Sequence, residues 1–75
     1  MDAFVLMRRT SSGDPRYWAP ISSLGWTADP QLAQLYVRRD AAELDARLFQ
    51  AEILTQRAAI RLRRALPDQD QKILA

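Results

Sequence analysis

Apolar residues come first in a short unbroken run and later at helical spacing. Phe4 to Met7 are apolar without interruption in "AFVLMRR", and "SSGDP" follows with Ser, Gly, Asp and Pro side by side. A first strand is therefore expected over about 3–10 and a turn over 11–15. "RYWAPI" reads as a second strand, antiparallel to the first and cut short by Pro20, which lacks a backbone donor. Asp29 before Pro30 marks a helix start, because Asp accepts from the free N–H groups and Pro sits where a donor is not needed. This helix is brief, roughly 30–35. Leu32, Leu35 and Tyr36 fall at i, i+3 and i+4 and should turn one face inward. Tyr36 and Val37 would then add a third short strand beside the hairpin.

Asp40, with Glu43 three residues later, resembles a capping box, and after it neither Gly nor Pro occurs until Pro67. The spacing predicts one long helix over 41–66, far beyond the usual ~11 or 12 residues. Wound at about 100° per residue, it carries two apolar stripes. The broader holds Leu44, Leu48, Ala51, Thr55, Ala58, Leu62 and Ala65 or Leu66, spaced like a coiled-coil seam; the narrower holds Phe49, Ile53 and Ile60. A helix apolar on two sides is packed on two sides. The hairpin covers one stripe, and a homodimer through the long helix would cover the other.

The expected fold is α+β: a two- or three-stranded antiparallel sheet, one short helix, and a long C-terminal helix packed across the sheet. With 75 residues the chain makes one small domain, taken as 1–67, and a tail, 68–75, that frays. In so small a core the two tryptophans, Trp18 and Trp26, are expected to pack on the long helix with Phe4 and Tyr36. Strand alternation then sends Tyr17 outward if Trp18 points in.

Charge narrows the functional classes. The formal net charge is +2, but residues 1–55 net −1, residues 56–66 net +4 and residues 67–75 net −1. The basic character is one patch. Arg57, Arg61 and Arg64 share a helical face, with Arg63 off to the side. Such a row can follow phosphates or meet an acidic protein surface, or it can be a solvated face near a helix C-terminus. No aromatic residue is interleaved with these arginines to stack on bases, which weakens the nucleic-acid reading. Arg16 with Tyr17 forms a second candidate contact, since both residue types are enriched in interface hot spots. Phe49 and Ile60, on the narrower stripe, are further candidate partner-binding residues. Arg8, Arg9, Arg38 and Arg39 read as strand-flanking charges that discourage aggregation.

Cysteine and histidine are both absent, which removes disulfides, thiolate metal sites and the commonest general base. The acids are scattered, the serines Ser11, Ser12, Ser22 and Ser23 have no base nearby in sequence, and the two glycines form no phosphate loop. No enzyme, metal or cofactor is expected. Neither a basic-then-apolar leader nor a spanning run is visible, so a cytoplasmic protein that does not enter a membrane is expected.

"YW" at 17–18, "GWTAD" at 25–29, "A-Q-L-Y" at 33–36 and "AAELDARL" at 41–48 together resemble a class of very small phage and prophage proteins, some of which are anti-CRISPR inhibitors. The resemblance spans about residues 4–48 and carries over no functional residues. It implies a non-enzymatic protein-binding module that sterically blocks a host defence complex such as a CRISPR effector. Its contact residues would be Arg57, Arg61, Arg64 and Arg63, with Tyr17, Arg16, Phe49 and Ile60. The alternatives are a small dimeric nucleic-acid-binding regulator using the arginine row, and a self-assembling structural phage protein.

Overall fold

A computed structural model describes residues 2–21 and 25–65; the expected tail 68–75, together with Leu66 of the broader stripe, lies outside them. The fold is α+β. Four strands, β1 (Phe4–Arg9), β2 (Pro15–Trp18), β3 (Trp26–Thr27) and β4 (Glu52–Thr55), form one antiparallel sheet in the order β3-β2-β1-β4. A three-residue 3-10 turn spans Pro30–Leu32, and two helices follow, α1 (Arg39–Phe49) and α2 (Gln56–Ala65).

The first strand and its turn lie close to where the residue pattern puts them. Asp14 accepts from the Thr10 N–H through its carbonyl at 2.8 Å, and Gly13 takes the turn position with φ 91°. Asp29 caps as expected, its carboxylate accepting from Gln31 N–H at 2.9 Å. The short helix after it ends at Leu32, and its inward residues are Pro30 and Ala33; Leu32 and Leu35 are exposed, opposite to expectation. The third strand imagined at Tyr36–Val37 reduces to one bridge, in which Tyr36 and Phe4 exchange two 2.8 Å backbone hydrogen bonds.

The long helix over 41–66 is not formed, and this is the largest correction. The chain leaves α1 at Gln50, which adopts the left-handed conformation (φ 54°, ψ 46°). Ala51 N–H then donates to the Ala46 carbonyl at 2.8 Å and Gln50 N–H to that of Arg47 at 3.4 Å, the paired bonds of a Schellman stop. Glycine usually fills that place, and a side chain there costs roughly 1–2 kcal/mol, so no Gly or Pro announces the break. What outweighs the cost is β4: Phe4↔Thr55, Val5↔Leu54, Leu6↔Ile53 and Met7↔Glu52 pair antiparallel with β1. Ile53 and Thr55 are β-branched and favour that state. Thr55 then caps α2, its hydroxyl accepting from Ala58 N–H at 3.1 Å. Asp40, expected as the cap of α1, lies inside its first turn, and Arg38 occupies the cap position without a side-chain bond.

Because β4 returns to the sheet, its two flanking helices go to opposite faces. Leu6 packs with Ala42 and Ala46 of α1, joined by Phe4, Trp18, Tyr36, Phe49 and Ile53. Val5, Met7 and Tyr17 pack with Ala33 and Ala59, joined by Leu54 and Leu62. The sheet is thus the middle of three layers, with α1 on one side and the 3-10 turn and α2 on the other. β1, with Val5, Leu6 and Met7 all buried, runs through the centre.

Candidate functional site

The outer face of α2 is built by simple winding. Ala59 and Leu62 turn toward the sheet, so residues half a turn away look outward, and these are Arg57, Arg61 and Arg64. All three line a groove of about 380 Å³ with Asp2, Ala3, Gln56 and Ile60. The groove wall is set by β1's approach, where Gln56 N–H donates to the Ala3 carbonyl at 2.8 Å and holds the start of the chain beside the helix. Asp2 places a carboxylate oxygen 3.4 Å from Arg57 Nη2. Among the described residues Arg61 and Arg64 form no ion pair. The groove is therefore strongly cationic at its far end, and Ile60, half-buried, gives it an apolar floor.

The structure separates the remaining candidates from this row. Arg63 turns toward the 3-10 turn and sits 3.1 Å from Asp29 Oδ1, fastening α2 to the cap. Tyr17, expected at the surface, is fully buried: alternation does place it opposite Trp18, but both sheet faces are covered. Its hydroxyl has no hydrogen-bond partner among the described residues. Arg16 is half-buried on β2, with Nη1 donating to the Pro15 carbonyl at 3.0 Å. Phe49 belongs to the core, its ring 4.4 Å from Trp18 and 6.0 Å from Trp26. Thus Arg57, Arg61, Arg64 and Ile60 come together, whereas Tyr17, Arg16, Phe49 and Arg63 lie elsewhere.

Arg8 stacks over Trp26, 5.3 Å from the ring centroid, and Arg39 lies 6.0 Å from that of Phe4. Arg38 and Arg39 also pair with Asp40 (2.8 Å) and Glu43 (3.4 Å). These four arginines are thus engaged locally: Arg9 Nη1 donates to the Gly13 carbonyl at 3.0 Å.

Two tyrosines carry shifted hydroxyls. Tyr36 donates to Asp45 Oδ2 at 2.6 Å, and its pKa is pushed well above the ordinary 10.0 by burial first, then by the bond to Asp45 and its charge, against a weaker opposing contact with Trp18. Burial also raises Tyr17, opposed by the charges of Arg9 and Arg63. Neither arrangement activates a nucleophile, because both favour the protonated phenol. They do set an alkaline limit. A folded value above the unfolded one leaves stability intact below pH 10.0 and erodes it as pH rises through that value toward the folded one. Thermal melting should accordingly hold level from pH 8 to about 10 and fall above it, and the fall should shrink in Tyr36→Phe. A melting temperature that stays level at strongly alkaline pH in the unaltered chain would refute this.

Among the described residues no group of three Asp or Glu side chains is placed to hold a metal ion, and no helix is long and apolar enough to cross a membrane. No protein-family model, curated protein or solved structure matches this chain.

Proposed function

We propose that this chain is a protein-binding module without chemistry, a phage-type inhibitor that covers a surface of a host defence complex such as a CRISPR effector. The observation that carries the reading is the row of Arg57, Arg61 and Arg64 along one groove, in which Asp2 is the sole acidic lining residue among the described residues. Guanidinium groups present flat, forked donors suited to carboxylates, and Ile60 beside them offers apolar area that a bound partner desolvates. An acidic protein segment laid along α2 would meet both. With Tyr17 buried and Phe49 half-buried against Trp18, this reading rests on the groove. The mechanism is occlusion: affinity comes from a few anchors, and the remaining bulk keeps the natural ligand away. Location in the host cytoplasm belongs to the same reading.

The test is retention on the tagged chain from bacterial lysate, with and without nuclease, beside the double variant Arg57→Glu/Arg61→Glu. The expected result is a stoichiometric protein that survives nuclease and is lost from the variant, whose circular dichroism is unchanged. Nucleic acid alone, removed by nuclease and bound more weakly as salt rises, would replace the proposal with a nucleic-acid regulator. A partner held equally by the variant would remove the groove from the interface, and an empty lane would leave self-assembly as the better reading.

A further inference from the structure

Opposite the buried Ala42 and Ala46, α1 shows solvent an apolar stripe that the rest of the fold leaves uncovered. Leu44 is 71% exposed and Leu48 74%; Ala41 is exposed between them, and Val37, just before the helix, is 74% exposed. Within the helix, 41, 44 and 48 are spaced three and four, as on a coiled-coil seam. Asp45 flanks this stripe on one side and Asp40 and Arg47 on the other, while Arg38, at the extended N-cap, holds its guanidinium on Asp40.

We propose that two copies of this chain pair through α1 as an antiparallel, two-fold symmetric dimer. Antiparallel pairing stacks Ala41 on the partner's Leu44 twice, with each Leu48 reaching the start of the partner's helix. The same symmetry sets Asp40 opposite the partner's Arg47, and the contact joins opposite charges twice. A parallel pair would instead set Asp40 against the partner's Asp45. The flanking charges thus complement a second copy in one orientation and oppose it in the other. The interface is one short helix wide, so association is weak and reversible. It leaves the arginine groove on the other side of the sheet open, and so it is independent of the function proposed above.

Sedimentation equilibrium from micromolar to millimolar protein should show the average mass rising from 8.6 kDa toward twice that value. Leu44→Glu/Leu48→Glu should stay monomeric throughout with an unchanged circular dichroism spectrum, since both side chains are exposed. Asp40→Arg should raise the dissociation constant about tenfold, because two attractive contacts become repulsive, and Asp40→Arg/Arg47→Asp should recover most of it. Arg57→Glu/Arg61→Glu should dimerise as the parent does. A mass of 8.6 kDa at every concentration, or a dimer indifferent to the leucine substitutions, would overturn the proposal. Failure of the charge exchange to restore pairing would overturn the antiparallel arrangement.

Discussion

Leu6→Ala should cost about 2–5 kcal/mol, the range for removing a buried leucine from a core that relaxes incompletely. Leu6 sits at the middle of the central strand, fully buried, facing Ala42 and Ala46. Those neighbours are small and belong to a helix held by several other contacts, so they cannot move in to fill the space. At roughly 4–8 °C per kcal/mol for a domain of this size, the melting temperature should fall by more than about 8 °C, enough to unfold a marginal chain near 37 °C. Leu48→Ala supplies the contrast. A coiled-coil reading of one long helix would make Leu48 a core residue with a comparable penalty, but it is exposed on α1. In dilute solution its replacement should shift stability by no more than about 0.5 kcal/mol. Equal losses at the two positions, measured by thermal or urea denaturation, would contradict the layered core.

Trp18→Ala should cost about 3 kcal/mol or somewhat more, within the range for truncating a large aromatic but toward its lower end because Trp18 is half-buried. Its ring lies 4.4 Å from Phe49 and 5.4 Å from Trp26, and with Trp26 it joins the strands to the end of α1. It also fits against Gly25: that residue has φ 76°, and a Cβ there would approach Trp18 Cζ3 to 3.2 Å. The aromatic cluster, the end of α1 and the backbone at Gly25 should therefore loosen together. A double-mutant cycle with Phe49→Ala should show coupling of about 0.5–1.5 kcal/mol, the part of the loss that belongs to the ring pair. Independent losses would mean that the rings only share a cavity.

The arginine groove was largely legible along the chain, and the other candidate contacts were not. Arg57, Arg61 and Arg64 keep their shared face because i, i+4, i+7 winding survives as long as those residues are helical at all, even when the helix is ten residues long rather than the full span 41–66. Arg63 does lie off the face of the row, yet the residue pattern counts it among the contact residues, because its partner Asp29 is remote in sequence. Tyr17 failed for a different reason. Alternation separates the two sides of a strand without saying whether either is wet, and that depends on how many layers cover the sheet. A clue was present in Phe4 to Met7, since an unbroken apolar run is the pattern of a strand buried on both faces.

Local chemistry along the chain was sufficient for the α+β class, for the strand at Phe4–Arg9 and its Gly13 turn, for the Asp29 cap and for the exposed cationic face of α2. Each depends on residues within a turn or two of one another, where spacing and side-chain chemistry act directly. The division of the C-terminal half into α1, β4 and α2 was decided by distant pairing. "AEILTQ" is compatible with helix taken alone, and Gln50 enters the left-handed region at a local cost. Only the hydrogen bonds of Glu52–Thr55 to Phe4–Met7, and the two apolar faces that they allow α1 and α2 to cover, make the break worthwhile. That gain exists when residues about fifty positions apart meet, and so the burial of Tyr17, the exposure of Leu44 and Leu48, and the placing of the arginine groove beside Asp2 follow from the tertiary structure.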